Sequence, residues 1–225
     1  MAALVQLAGT VAHELNNIFT AVTGNLSLLD HAAAGSVTHA VTVNDIVRAA
    51  QRGIDLTSKL QAFAGRQRLN RKSVDLNALV SRTIHDLRPS LPAIDVKVAL
   101  ADAEFIVYAD EQKLADTIVE LVRNAHAAMP AMGGRIYLET LPPQIEERHP
   151  HVVLRIHDNG KGMSPEVMAR ATEPLFTTAP NGTKAGWGLS NCAGIIRQLG
   201  GRLSLSSEEN RGTVVAISLP LERPD

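Results

Sequence analysis

The chain has 225 residues, which is enough to bury a sizeable core in one large domain or two small ones. Its 22 lysines and arginines are balanced by 23 aspartates and glutamates, which argues against a nucleic-acid binder, because phosphate contacts need a clustered basic excess. The one cysteine, Cys192, excludes an intramolecular disulfide and cannot by itself form a zinc site, which fits a cytosolic compartment.

The sequence contains no run of about 18 apolar residues and no charged leader with a hydrophobic core. We therefore expect no membrane contact in this segment. The expected location is cytoplasmic, for the protein itself or for the cytosolic part of a longer one.

The first pattern is a helix that carries a histidine on its polar side. Apolar residues recur at steps of three and four from Leu4 to Leu29, which predicts a helix from about Ala2 to about His31. His13 lies off this stripe, with Glu14 beside it and Asn17 one turn along. A surface histidine is usually unremarkable. Here, however, the adjacent carboxylate can accept a proton from one ring nitrogen while the other attacks an electrophile, so the pattern indicates a phosphoryl acceptor.

A second helical pattern follows the small, flexible stretch from Ala32 to Ser36. Its apolar side comprises Val43, Val47, Ala50, Ile54 and Leu60. Two helices joined by a short turn form an antiparallel hairpin, which alone cannot cover so wide an apolar face. We expect two hairpins to pair into a four-helix bundle, which makes the protein a homodimer. Packing of the hairpin on its own C-terminal domain is the alternative.

The second half alternates strands and helices. A polar, basic stretch from Gly65 to Lys72 predicts a linker, so we divide the chain into a helical hairpin (1–66), a linker (67–72) and a second domain (73–225). Asp75 is the predicted N-cap of a helix to about Leu87, and Asp110 of a helix to about Met129. Strands are predicted at Ile94–Leu100, Phe105–Tyr108, Arg135–Leu141, Val152–His157, Arg202–Ser206 and Val214–Leu219. This pattern indicates an α+β sandwich, with helices on one face of a mixed sheet.

Two stretches of the second half carry acidic and amide side chains. Glu120 and Asn124 lie at i and i+4 on a predicted helix, and a carboxamide oxygen is a hard ligand that suits Mg²⁺; a solvated helix face is the alternative. Asp158 follows a predicted strand, with Gly160 and Gly162 after it. A carboxylate there suits the exocyclic amino group of a base such as adenine, although Asn-Gly also marks an ordinary turn.

Two further stretches resemble ligand-binding loops. Residues 173–178 lead into the segment 179–184, which has no periodicity and is typical of a mobile lid. Gly186 and Gly188 open an apolar helix, where free N–H groups and the helix dipole favour phosphate oxygens; a plain N-terminal turn is the alternative.

Five sequence boxes occur in a fixed order: HELNN (13–17), ELVRN (120–124), DNGKGM (158–163), EPLFTT (173–178) and GWGLS (186–190). Together they resemble the phospho-acceptor box and the N, G1, F and G2 boxes of sensor histidine kinases of bacterial two-component systems. The ATP-binding domain of that family has the GHKL fold. The resemblance covers nearly the whole chain and implies ATP and Mg²⁺ as cofactors and a response regulator receiver domain as partner.

The resemblance also implies roles for the acceptor residues and their surroundings. His13 would be phosphorylated, Glu14 would accept its proton, and Asn17 would orient a water that dephosphorylates the regulator. The regulator would dock on the exposed side of the bundle, which includes Thr20 and Gly24.

On the ATP side, the resemblance implies that Asn124 binds Mg²⁺ with Glu120 polarising the site. Asp158 would bind the adenine amino group. The other implied nucleotide-binding residues are Gly160, Gly162, Phe176 (as lid anchor), Thr178, Gly186, Gly188 and Leu189.

The chain departs from the family at a few positions. Lys184 and Ala185 replace a glycine pair, and Trp187 replaces a common leucine. The basic group that meets the phosphates stays open among Arg123, His126 and Lys184. Two other functions share parts of the pattern: a conformational ATPase like gyrase and MutL-type proteins, and a degenerate scaffold or phosphotransfer protein.

Overall fold

The computed structural model describes residues 15, 18–26, 41–50, 53, 68–130, 133–143, 150–174, 176–178 and 186–221. The chain divides into two compact units, Met1–Gln61 and Ala62–Asp225. In the first unit, residues 18–26 (α1) and 41–50 (α2) are helical, as the apolar periodicity predicts. The predicted turn from Ala32 to Ser36 lies outside the described residues.

The helical residue Gly53, shortly after α2, lies close to α1, and both helices leave apolar side chains on the surface. A Cβ atom added to Gly53 would lie 3.5 Å from Ile18 Cγ2, so the two helical stretches approach closely there. Thr42 and Ala49 are buried. Among the described residues of this unit, the exposed large apolar ones are Phe19, Leu26, Val41, Val43 and Val47. A surface of this kind is typical of an interaction face.

The described part of the second unit contains seven strands. They are β1 (Lys72–Asp75), β2 (Ile94–Ala99), β3 (Ile106–Ala109), β4 (Gly134–Leu141), β5 (His151–Asp158), β6 (Arg202–Glu208) and β7 (Gly212–Pro220). Five of these form one sheet in the order β2-β4-β5-β7-β6, in which only the β2–β4 pair is parallel. Strands β1 and β3 form a separate antiparallel pair.

Four helices accompany these strands in the described part of the unit: α3 (Leu76–Leu87), α4 (Glu111–Ala127), α5 (Pro165–Arg170) and α6 (Gly188–Gln198). Asp75 caps α3 by accepting hydrogen bonds from the N–H groups of Asn77 and Ala78, and Asp110 caps α4. Both caps are predicted from the sequence. Helix α3 ends at a 3₁₀ turn, Arg88–Ser90, because Pro89 disfavours further α-helix.

Helices α3, α4 and α6 contribute to one hydrophobic core with alternate residues of the strands. On β4, for example, Ile136 and Leu138 are fully buried, whereas Arg135, which precedes Ile136, is exposed and Tyr137 between them is half-buried. The predicted α+β sandwich is therefore confirmed, with helices on one face of a mixed sheet.

Two elements were not predicted. Strand β1 has four residues and helix α5 has six, and both are too short to give a clear apolar period. Strand β1 begins at Lys72, the last residue of the predicted linker, because Lys72 pairs with Ala109 of β3. None of the helices in the described ranges is long and apolar enough to cross a membrane.

Candidate active site

Helix α4 carries two of the predicted site residues towards the start of helix α6. Asn124 Nδ2 donates a hydrogen bond to Glu120 Oε1 at 3.3 Å. Gly188 is the first residue of α6, and a Cβ atom added to it would lie 2.3 Å from Glu120 Oε1 and 3.2 Å from Asn124 Nδ2. The ELVRN and GWGLS boxes thus meet, and the contact depends on the absence of a side chain at Gly188.

The same two helices stay in contact further along. Cys192 Sγ, on α6, donates to the carbonyl oxygen of Thr117, on α4, at 4.0 Å. Burial raises the pKa of the Cys192 thiol, and the nearby Glu120 carboxylate raises it further. Since Gly188 lies beside Glu120 and Cys192 beside Thr117, α6 runs antiparallel to α4.

Asp158 ends strand β5 and accepts two backbone hydrogen bonds. Its Oδ1 accepts from Gly160 N at 2.9 Å and from Thr213 N at 3.2 Å. Burial raises the pKa of the Asp158 carboxyl, while these two hydrogen bonds and the charge of His157 oppose the rise. Both bonds go to one oxygen, so within the described ranges Oδ2 accepts no hydrogen bond and can receive an N–H donor of a ligand.

The loop after Asp158 is wedged between the end of α4 and the β6–β7 turn. Lys161 N donates to Ala128 O at 2.9 Å, and Lys161 O accepts from Asn210 N at 2.7 Å. Gly162 has a φ of +63°, and a Cβ atom added to it would lie 2.0 Å from Glu208 O. Only glycine fits this left-handed, crowded position. The loop therefore places the DNGKGM box beside the helix that carries Asn124.

Thr213 and Ser207 support Asp158, and neither residue was predicted from the sequence to belong to the site. Ser207 Oγ donates to Gly212 O at 2.9 Å and lies 2.9 Å from Thr213 Oγ1. Both strands that carry these residues were predicted. The pairing of β7 with β5 was not predicted, and this pairing places Thr213, at the start of β7, opposite Asp158, at the end of β5.

An arginine holds the aromatic residue of the EPLFTT box. The Arg170 guanidinium lies 4.4 Å from the ring centroid of Phe176, and Arg170 Nε donates to Glu173 Oε2 at 3.1 Å. Thr178 is exposed at the end of this described stretch, and the residues 179–185 of the predicted lid lie outside it.

Around the start of α6, Gly186 and Leu189 are half-buried, and Leu189 packs against the core. Trp187 is 2% exposed, so it serves as an interior apolar residue. Its Nε1 has no hydrogen-bond partner among the residues that the structure describes. Trp187 O accepts from Asn191 N at 2.9 Å, which begins the helical ladder.

The three basic candidates for the phosphates differ in position. Arg123 lines a cleft of about 590 Å³ between α3 and α4, together with Asp86 and Asp116. His126 lies two residues after Asn124 and so about 200° around the helix, which directs the two side chains to different faces. Lys184 lies outside the described residues.

The acceptor residues His13, Glu14 and Asn17 also lie outside the described residues. Thr20 and Gly24 lie on α1 and are exposed. In the described part of the chain, no group of three or more histidine, cysteine, aspartate or glutamate side chains can hold a metal ion.

Comparison with known proteins gives a consistent result. The family model described as "Histidine kinase-, DNA gyrase B-, and HSP90-like ATPase" matches residues 109–223. Sensor kinase CckA of Brucella abortus (strain 2308) is 34% identical over 237 residues, which cover 98% of this chain and 24% of that protein. Sporulation kinase B of Bacillus subtilis (strain 168) is 28% identical over 227 residues, which cover 100% of this chain and 51% of that protein.

The chain therefore spans about a quarter of the length of the first relative and about half of the second. Among solved structures, histidine kinase ThkA in complex with response regulator protein TrrA matches with a TM-score of 0.62 at 20% identity. The match covers 98% of this chain and 63% of that chain. With the family match, this likeness confirms the GHKL-type fold predicted from the sequence boxes.

Proposed function

Because the chain belongs to the histidine kinase-, DNA gyrase B-, and HSP90-like ATPase family, we propose that it is an ATP-dependent protein-histidine kinase. It phosphorylates its own His13 and passes the phosphoryl group to an aspartate of a response regulator. The observation that carries the proposal is the meeting of Glu120, Asn124 and Gly188 beside the loop that follows Asp158. Sensor kinase names among the relatives support it.

Asp158 binds the adenine end of the nucleotide. An exocyclic amino group donates to Asp158 Oδ2, while Oδ1 stays engaged by Gly160 N and Thr213 N. The fixed backbone donors hold the carboxylate in one orientation, so little ordering is needed when the base binds. Gly160 and Gly162 shape the pocket because they let the backbone approach the base.

The phosphates lie at the start of α6, next to Glu120 and Asn124. The N–H groups of Gly188 and Leu189, in the first turn of α6, would face the phosphate oxygens, and the helix dipole favours negative charge there. These residues fit Mg²⁺. The Asn124 carboxamide and the Glu120 carboxylate lie together beside Gly188, where a Cβ atom would not fit. In proteins Mg²⁺ is usually held by few protein oxygens together with phosphate oxygens. Bound by Asn124, the ion would neutralise charge on the phosphate oxygens.

At the acceptor, a ring nitrogen of His13 attacks the γ-phosphorus, and the bond from that phosphorus to the β-phosphate oxygen breaks. ADP leaves with the bonding electrons, and Glu14 accepts the proton from the other ring nitrogen. The chain contributes positioning and electrostatics, since it forms no other covalent bond in this step. Asn17 supports the reverse task, hydrolysis of the phosphorylated regulator, by orienting a water.

The protein acts as a homodimer through its helical hairpins, in the cytoplasm. The exposed Phe19, Leu26, Val43 and Val47 support pairing of two hairpins, because their burial in a four-helix bundle removes apolar area from water. The regulator docks on the α1 surface around Thr20 and Gly24. The ThkA structure, which contains a response regulator, supports this class of partner.

The test is incubation of the purified chain with γ-labelled ATP and Mg²⁺, followed by acid and alkali treatment. We expect label that survives alkali and is lost in acid, which is the behaviour of a phosphoramidate. Steady ATP hydrolysis without protein labelling would instead indicate a conformational ATPase.

A substitution at Asn124 tests the assignment of the Mg²⁺ ligand. Asn124→Ala removes the carboxamide ligand, so we expect Mg²⁺-dependent labelling to fall at least a hundredfold, on the order of 3 kcal/mol of transition-state stabilisation. Labelling that keeps its rate and Mg²⁺ dependence in this variant would contradict the assignment.

A further inference from the structure

Residues 70–72, which we call the strap, fasten the chain to the N-terminal end of α4. The N–H group of Asn70 donates to Oδ2 of Asp110, the N-cap residue of α4, at 2.8 Å. Lys72 forms an ion pair with Glu111, the first residue of the helix. Lys72 also begins strand β1, whose pairing with β3 holds the strap in register.

Arg71, the central residue of the strap, reaches a different helix. Its Nη2 donates to the carbonyl oxygen of Gln198, the last residue of α6. The last carbonyl groups of a helix lack partners within it, and a cation there also interacts favourably with the helix dipole. The strap therefore ties the C-terminal end of α6 to the N-terminal end of α4.

The opposite ends of these two helices carry the candidate active site. Three contacts follow the antiparallel pair: Arg71 at Gln198, Cys192 against Thr117, and Gly188 against Glu120 and Asn124. Gly188 lies ten residues from Gln198, which is about 15 Å along the helix. The contact at Gly188 leaves no room for a side chain, since an added Cβ atom would lie 2.3 Å from Glu120 Oε1.

We infer that Arg71 is a positioning residue for the nucleotide site. By holding the far end of α6 on the strap, it fixes how α6 lies along α4, and so where Gly188 stands relative to Glu120 and Asn124. This inference rests on the proposed function and deepens it by naming a positioning residue of the same site.

The experiment compares Arg71→Ala and Arg71→Lys with Arg68→Ala. Arg68 is an exposed arginine just ahead of the strap and serves as the matched control. Backbone hydrogen exchange without nucleotide and the Kd for Mg·ATP are measured on the full chain. We expect Arg71→Ala to accelerate exchange at residues 191–195, the first hydrogen-bonded amides of α6, about threefold to tenfold and to raise Kd by a similar factor. Arg71→Lys should bring the exchange rate and the Kd part of the way back to the wild-type values, and Arg68→Ala should change neither quantity.

Two results would overturn the inference. Faster exchange confined to residues 196–199 with an unchanged Kd would make Arg71 a local helix cap. Equal acceleration across the sheet would make it a general stabiliser. A wild-type chain that binds no ATP would contradict the proposed function, while the exchange at residues 191–195 would still decide the role of Arg71.

Discussion

At the scale of single residues, Asp158 is the group whose ionisation bears most directly on nucleotide binding. Burial raises its pKa, so folding favours the protonated form. Its contribution to the free energy of unfolding is therefore full below the unfolded-state pKa and is lost as the pH rises through the folded-state pKa. An amino group donating to Oδ2 favours the ionised form and so lowers this pKa when ATP binds.

We predict that the Asp158 carboxyl carbon titrates above the ordinary aspartate range in an NMR experiment on the free protein, and lower in the presence of ATP. Asp158→Asn assigns the signal by removing it. Titration at or below the ordinary value, or a pKa that ATP leaves unchanged, would contradict the assigned role.

Residue types and spacing predicted Asp158 as a hydrogen-bond acceptor for the base, but the backbone group of Thr213 that holds its carboxylate is seen only in the structure. Thr213 lies 55 residues further along the chain and reaches Asp158 because β7 pairs with β5. Such a contact depends on strand register, which a single sequence specifies weakly. The same holds for Arg170, whose stacking on Phe176 follows from a turn that carries no periodic signal.

At the scale of elements, the packing of α6 on α4 places the start of one helix against the side chains of the other. Gly188→Ala adds a methyl group where Glu120 Oε1 lies 2.3 Å away, so the helices must separate or Glu120 must move. Overpacking of this kind costs about 1–3 kcal/mol. We predict that the Kd for Mg·ATP rises at least about tenfold, as measured by calorimetry.

Gly24→Ala is the matched control for this prediction. A Cβ atom at Gly24 meets nothing within 4 Å, so this variant should bind ATP as the wild type does. Equal affinity of both variants would mean that the phosphates do not lie at the start of α6.

The longer elements were predicted well because their signals are redundant. Helix α4 has a capping aspartate, an apolar face and a length of 17 residues, and it ends within two residues of the predicted Met129. The α4–α6 contact was not predicted, because periodicity shows which face is buried and not what covers it. The order of the sequence boxes, and not periodicity, predicted that residues on these two helices belong to one site.

At the scale of the whole molecule, the exposed apolar residues of the first unit bear on the oligomeric state. Val47 is 59% exposed on α2, and Leu26 is 49% exposed on α1. We predict that the wild type is a dimer in light scattering coupled to size exclusion, and that Val47→Glu shifts it towards monomer, because a charge buried in a bundle is costly.

Tyr108→Glu provides the matched control, since Tyr108 is similarly exposed, at 53%, but lies in the second unit. It should remain dimeric. Dissociation by both substitutions, or a monomeric wild type, would contradict pairing through the hairpins.

The measurement that tests the central claim most directly is phosphoryl transfer from γ-labelled ATP to the wild type and to His13→Gln, with the Kd for ATP measured in parallel. We predict acid-labile, alkali-stable label on the wild type, no label on His13→Gln, and the same ATP affinity in both. Undiminished labelling of His13→Gln would contradict His13 as the acceptor, and loss of ATP binding together with labelling would mean that this residue has a structural role.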